Sequence, residues 1–195
     1  NMATIRSLCT RCVVLNHGKL IYDGETEKAI DVYMDNAKSE LKAFHDFDEV
    51  KRPSPDHGSN VFVKNFRFLG KERPVYGNSE KIRFSIEWTA EKAIEGLRLD
   101  FAMAAPDSTV IGMSYSDIFA DAADNDHQVS CFEFDASNLV EGVYSFNVDV
   151  FTQNESGKLA SVDHPCETVA FEIVNDGSVH TIEPWVRKYW GSVKL

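Results

Sequence analysis

The stretch Lys81-Ile82-Arg83-Phe84-Ser85-Ile86-Glu87-Trp88-Thr89 alternates apolar and polar side chains at every step. Successive side chains of a strand point to opposite faces. Ile82, Phe84, Ile86 and Trp88 therefore share one dry face, while Arg83, Ser85 and Glu87 share a wet one. A helix would scatter the same residues around its circumference. The stretch reads as a half-buried β-strand with Trp88 in the core.

The same period recurs on both sides of it. Val61–Phe68 precedes it. After it, Leu97, Leu99, Phe101 and Met103 alternate with Arg98, Asp100, Ala102 and Ala104. Thr109–Tyr115, Val129–Phe134, Val143–Thr152, Glu167–Val174 and Val179–Ile182 follow. In Val143–Thr152 the residues Tyr144, Phe146, Val148 and Val150 oppose Ser145, Asn147, Asp149 and Phe151. Turn signals separate the runs at Gly77-Asn78, Glu95-Gly96, Glu141-Gly142, Glu155-Ser156-Gly157 and Asp176-Gly177. About eight short strands with one apolar face each predict an all-β, immunoglobulin-like β-sandwich over residues 60–195. Leu139-Val140-Glu141-Gly142-Val143-Tyr144 has the form of a tyrosine corner, and no Cys-Trp-Cys framework accompanies it.

Before residue 60 the pattern is different. Val13-Val14-Leu15 and Leu20-Ile21-Tyr22 flank Asn16-His17-Gly18-Lys19, which predicts a hairpin. From Glu25 to Phe44 apolar residues recur at helical spacing: Ala29, Ile30, Tyr33, Met34, Ala37, Leu41 and Phe44. Glu25 and Glu27 fall in the first turn, where the helix dipole favours acids. Residues 1–45 thus read as helix, hairpin and helix. Residues 46–59 are polar, charged or structure-breaking and include Pro53 and Pro55, which predicts a semi-rigid linker.

Bulk properties exclude several functions. The net charge is −11, and residues 59–195 carry −9 of it, from 12 basic and 21 acidic groups. No Lys or Arg occurs from Leu99 to Gly157. Such a surface repels phosphate backbones, so nucleic acid is not an expected partner, nor is direct docking on anionic lipid. No apolar run approaches the ~20 residues of a membrane helix, and no signal peptide is recognised. Cys9 and Cys12 form a lone C-x-x-C without the second pair a zinc ribbon needs. Cys131 and Cys166 fall in strand-like runs and are expected to be buried thiols.

Three N-terminal runs, LCTR, VVLNHGKLIYDG and ETEKAIDVYM, follow one another in the order seen in ABC-transporter ATPases. The segment resembles the end of that family's catalytic domain. There, a helix closing in "LCDR" leads to a short strand, a turn carrying "HG" and a second strand closing in "DG". A helix of the form "EEVIxxY" then follows. Asn1-Met2 would lie just after the family's switch histidine, which is absent. The resemblance places the ATPase core, with its ATP and Mg, upstream in a full-length parent. This chain is expected to need no cofactor and to hydrolyse no ATP.

An ATPase tail joined to a sandwich resembles the ATP-binding subunit of O-antigen polysaccharide exporters, the Wzt type. The motifs carrying that likeness are Val61-Phe62-Val63-Lys64-Asn65-Phe66, Glu80-Lys81-Ile82-Arg83-Phe84, Ile111-Gly112-Met113-Ser114 and Glu141-Gly142-Val143-Tyr144. The resemblance implies a non-catalytic domain that binds finished O-antigen-type polysaccharide in the cytoplasm. It also implies a place on the inner face of the inner membrane, beside a transmembrane exporter subunit. A homodimer formed by exchange of a terminal strand is a further implication. The ending here departs from the family's single Trp, since Trp185, Tyr189 and Trp190 cluster. These three are expected to lie in a dimer interface or to stack on sugar, the interface being favoured because terminal strands exchange readily between protomers.

A neutral sugar offers hydroxyls and apolar C–H patches. Its site wants carboxylates or amides with an aromatic platform. The outward residues of two strands supply these. The expected carbohydrate-binding set is Asp100, Asn147, Asp149 and Phe151, flanked by Tyr115, with Ala102 leaving room beside Asp100. An exposed Phe151 among polar neighbours would suit such a role. Two other readings stay open. In one the module serves dimerisation alone; in the other Asp117, Asp121, Asp124, Asn125 and Asp126 bind calcium as in adhesion domains, although their spacing is not that of an EF-hand. Catalysis is not expected, because no carboxylate stands in an apolar setting by sequence and the six histidines are dispersed.

Overall fold

The computed structural model describes residues 2–16, 18–39, 41–105 and 109–177. It opens with α1 (Met2–Leu8), a hairpin of β1 (Arg11–Asn16) and β2 (Lys19–Glu25), and α2 (Thr26–Ser39). The helix–hairpin–helix order predicted for this part is present. Val14, Ala29 and Ile30 are its buried apolar residues. The second helix is shorter than its periodicity suggested. Leu41 and Phe44 leave it, and Phe44 begins a new strand.

The sandwich runs from β3 (Phe44–Asp46) through β4 (Val61–Phe68), β5 (Val75–Gly77), β6 (Lys81–Ala90) and β7 (Ile94–Ala104). It continues with β8 (Val110–Tyr115), β9 (Ala120–Ala122), β10 (Asp126–Asp135), β11 (Gly142–Gln153), β12 (Leu159–Asp163) and β13 (Val169–Val174). One sheet has the order β10-β6-β4-β3. The other has the order β5-β13-β11-β7-β8, with β12 beside β11 and β9 beside β7. All pairs are antiparallel except β13 with β5. The expected immunoglobulin-like all-β sandwich is therefore what the chain forms. Beyond the predicted strands it adds β3, β5, β9 and β12, each of five residues or fewer.

The facing alternation seeds the core. Ile82, Phe84, Ile86 and Trp88 are all buried, as are Leu97, Leu99, Phe101, Phe146, Val148 and Val150. Phe66 stacks on Phe84 at 4.9 Å between centroids, and Phe101 lies 4.5 Å from Phe146. Each such ring contributes about 1.5–3 kcal/mol by leaving water. Trp88 Nε1 donates to Ser130 Oγ at 3.0 Å, which settles its one polar atom. Tyr144 closes the predicted corner: its hydroxyl donates to the Val140 carbonyl at 2.9 Å. Burial pushes that hydroxyl's pKa up to about 12.

The segment expected to be a linker is part of the sandwich. The β4 ladder slips between Val63 and Asn65, which frees backbone groups there. Phe47, itself fully buried, donates its amide to Lys64 O at 2.7 Å. Arg52 donates to Val63 O at 2.8 Å and to Phe47 O and Val50 O at 2.7 Å. It also grips Asp163 of β12 with two bonds of 2.9 and 3.0 Å. Asp163 in turn accepts the Val63 amide at 2.7 Å. A charged, proline-bearing run predicts a spacer as long as its charges face water. Here Arg52 is 8% exposed and its partner Asp163 is fully buried.

The cysteines also differ from expectation. Cys131 and Cys166 are exposed, and all four thiols are free. Cys131 shares the outward phase of β10 with Val129 and Glu133, so strand membership did not imply burial.

Candidate functional site

The outer face of the larger sheet carries the predicted site. Register aligns three strands. Tyr115 stands opposite Asp100, and Asp100 opposite Asp149, forming one row across β8, β7 and β11. The next row is Met113, Ala102 and Asn147. A further row runs Val110, Ala104, Ser145 and Ala170 and is small on β7, β11 and β13. On the other side of the acidic row Arg98 opposes Phe151. The structure thus brings Asp100, Tyr115, Asn147, Asp149 and Phe151 together on one face, as the alternation required.

Their environments are unequal. Tyr115 is 56% exposed and its hydroxyl meets Met113 Sδ at 2.9 Å. Its ring stands at 83° to Phe151, 6.2 Å away. Asn147 Oδ1 accepts the Thr168 hydroxyl at 3.0 Å. Phe151, expected as an exposed platform, is only 3% exposed. The β11–β12 ladder shifts between Val150 and Phe151, and Ser161 then pairs beside it. Arg98 lies across from it on β7 and the Tyr115 ring stands edge-on to it, and the ring is buried. Tyr115, not Phe151, is the accessible aromatic group.

Asp100 is 8% exposed, and among the described residues no donor reaches its carboxyl. Its oxygens keep a path to solvent. Burial first, and the charge of Asp149 second, raise its pKa to about 6. Asp149 is raised as well, chiefly by burial. Ser161 Oγ, donating at 2.5 Å, and the charges of His164 and His57 work against that rise. His164 Nδ1 is 3.8 Å from Asp149. The expectation that no carboxylate sits in an apolar setting is therefore wrong for this pair. Ser161, His57 and His164 escaped the sequence reading, since β12 and the segment before β4 show no alternation that would place them.

The remaining candidates disperse. Trp185, Tyr189 and Trp190 lie outside the described residues. In the acidic loop, Asp121 accepts the Gly96 amide and Asp124 the Ala93 amide, each at 2.7 Å. Asp126 accepts from His127 N and Gln128 Nε2. These acids cap separate backbone amides. Among the described residues no group of three His, Cys, Asp or Glu side chains is placed to hold a metal ion. His45 is buried against Glu167 at 2.8 Å, far in sequence from the acidic row.

No protein-family model and no curated protein matches the chain. Among solved structures it is similar to the C-terminal domain of Wzt, with a TM-score of 0.54 and 10% identity over 75% of this chain and 95% of that one. The two share a fold. It is also similar to the CARDB domain of a Pyrococcus furiosus protein, with a TM-score of 0.36 and 13% identity over 59% of this chain and 94% of that one.

Proposed function

We propose that this chain is a polysaccharide-binding module of an ABC exporter's ATP-binding subunit, holding an O-antigen-type glycan on the outer face of its larger sheet. The observation that carries this reading is Asp100, a residue only 8% exposed whose carboxyl meets no donor among the described residues, beside an exposed tyrosine. A ligand hydroxyl would give that carboxyl the donor it lacks, in a charge-assisted hydrogen bond. Ala102, next to Asp100 on the same face, and the Ala104 and Ser145 pair beyond it leave a shallow floor for a sugar ring. The fold shared with the Wzt C-terminal domain and the N-terminal ATPase-tail motifs support the same assignment. Two sites in a homodimer, through terminal strand exchange, would bind one repetitive polymer by avidity. The module would then work in the cytoplasm beside its membrane partner and need no cofactor of its own.

A panel of immobilised bacterial O-polysaccharides tests this. Binding should occur to at least one, and Asp100→Ala and Asp149→Ala should each lower it while the protein stays folded. Unchanged binding in both variants refutes the site.

The raised acid pair invites a second reading, glycoside hydrolysis with Asp100 as acid. Geometry speaks against it. Cross-strand partners hold their Cβ atoms about 4.5–5.5 Å apart on one surface, so both acids meet a bound sugar from the same side. Hydrolysis needs them flanking the bond. We therefore infer a binder. Reducing ends that accumulate over a day of incubation with a bound polysaccharide, and vanish in Asp100→Asn, would reverse that choice.

A further inference from the structure

The acidic row also constrains which sugar fits, an inference that rests on the glycan-binding reading above. Asp100 and Asp149 sit at one register position of adjacent strands, so their carboxyls line the same wall. Asp149 already accepts from Ser161, while Asp100 accepts from no described residue. The basic groups around them are few and placed to one side. Arg98, two residues along β7, spends a guanidinium hydrogen on Ser116 O at 3.2 Å. His164 and His57 approach Asp149, not Asp100. On the β8 side the row ends in the uncharged Tyr115, and the next row is Met113, Ala102 and Asn147. A ligand entering here meets the Asp100 carboxyl without a described donor, while the Arg98 guanidinium is held toward Ser116 O.

We propose that this row selects by charge and by hydroxyl placement: it takes a neutral sugar that presents two adjacent hydroxyls to Asp100 and Asp149, and it turns away uronates and phosphorylated sugars. Each hydroxyl donates one hydrogen bond to a carboxyl. The C–H face of the ring lies toward Tyr115, whose exposed ring offers the only described aromatic surface on this row. A third acidic group brought to the same position meets two like charges at close range, which outweighs the neutral Asn147 amide on the next row. Charge rejection is thus the complement of the unpaired acceptor, and both follow from one pair of residues.

Protein-observed NMR titrations with matched methyl glycosides test this. The pairs are glucose with glucuronate, galactose with galacturonate and mannose with mannuronate. Each neutral sugar is also run as its 2-deoxy and 3-deoxy forms. At least one neutral sugar should shift the backbone amides of Tyr115, Asp100 and Ala102. Its uronate should bind more weakly by about tenfold or more, a gap of one decade in Kd. At least one deoxy form should lose most of the affinity. Asp100→Asn should close the uronate gap, and Asp149→Asn gives an independent second variant. A uronate that binds as tightly as its neutral partner overturns this inference and leaves the glycan-binding reading intact. Absence of binding by every sugar and by the polysaccharide panel overturns both.

Discussion

Asp100 and Asp149 are direct cross-strand partners, two acids at one register position on the outer face of the larger sheet. Like charges in that relation destabilise a sheet, and burial adds to the cost.

The pair makes stability depend on pH in a defined direction. The Asp100 carboxyl is raised from 3.8 to about 6 in the folded protein. The unfolded chain therefore releases its proton first, and folding loses stability as pH rises through that window. The loss is on the order of 1–3 kcal/mol above it. Asp100→Asn removes the charge and keeps the shape. It should raise Tm by roughly 2–8 °C at pH 7.5, and by little at pH 4. The neighbouring groups Asp149, Arg98, Tyr115 and His164 are unchanged in that comparison. A Tm at pH 7.5 that stays flat or falls contradicts the burial of this pair.

Arg52 and Asp163 form the opposite case, a buried pair of unlike charge with its hydrogen bonds filled. Removing one member strands the other. Arg52→Ala should cost about 3–5 kcal/mol in denaturant unfolding. An Arg52→Met, Asp163→Leu double variant should cost less than either single change. A loss below about 1 kcal/mol for Arg52→Ala would mean that the 46–59 segment is not clamped.

Tyr115 separates binding from folding. More than half its surface is exposed, so Tyr115→Ala should leave Tm within a few degrees. It should weaken glycan binding by roughly tenfold or more, since aromatic groups dominate such contacts. Tyr115→Phe should bind nearly as well as the native protein. Equal binding by Tyr115→Ala removes the platform from the site.

Tyr144 provides the converse. Its bond to Val140 O lies at the corner, away from the acidic row. Tyr144→Phe should destabilise by about 1–2 kcal/mol in chemical denaturation, with unaltered glycan affinity. A Tyr144→Phe variant as stable as the native protein would mean that the corner contributes nothing.

Alternation made the sandwich legible, and it correctly gave the side of the sheet for Asp100, Asn147 and Asp149. It could not report what covers that side. Period two distinguishes inward from outward, whereas Phe151 sits at a ladder shift and against Tyr115, both products of packing between strands. The same gap hid Ser161 and His164, which reach Asp149 from β12 and beyond. It also reversed the reading of Arg52, whose burial depends on an Asp more than a hundred residues away. Charge near prolines is a sound linker signal only when no buried counter-charge waits elsewhere.

The clamped 46–59 segment bears on how force would pass along the polypeptide. A tether stretches and bends, so motion at one end dies out before it reaches the other. Here Phe47 and Arg52 are bolted to both sheets. A displacement arriving along this strap would be delivered to the larger sheet as a whole-body tilt, with no slack to absorb it.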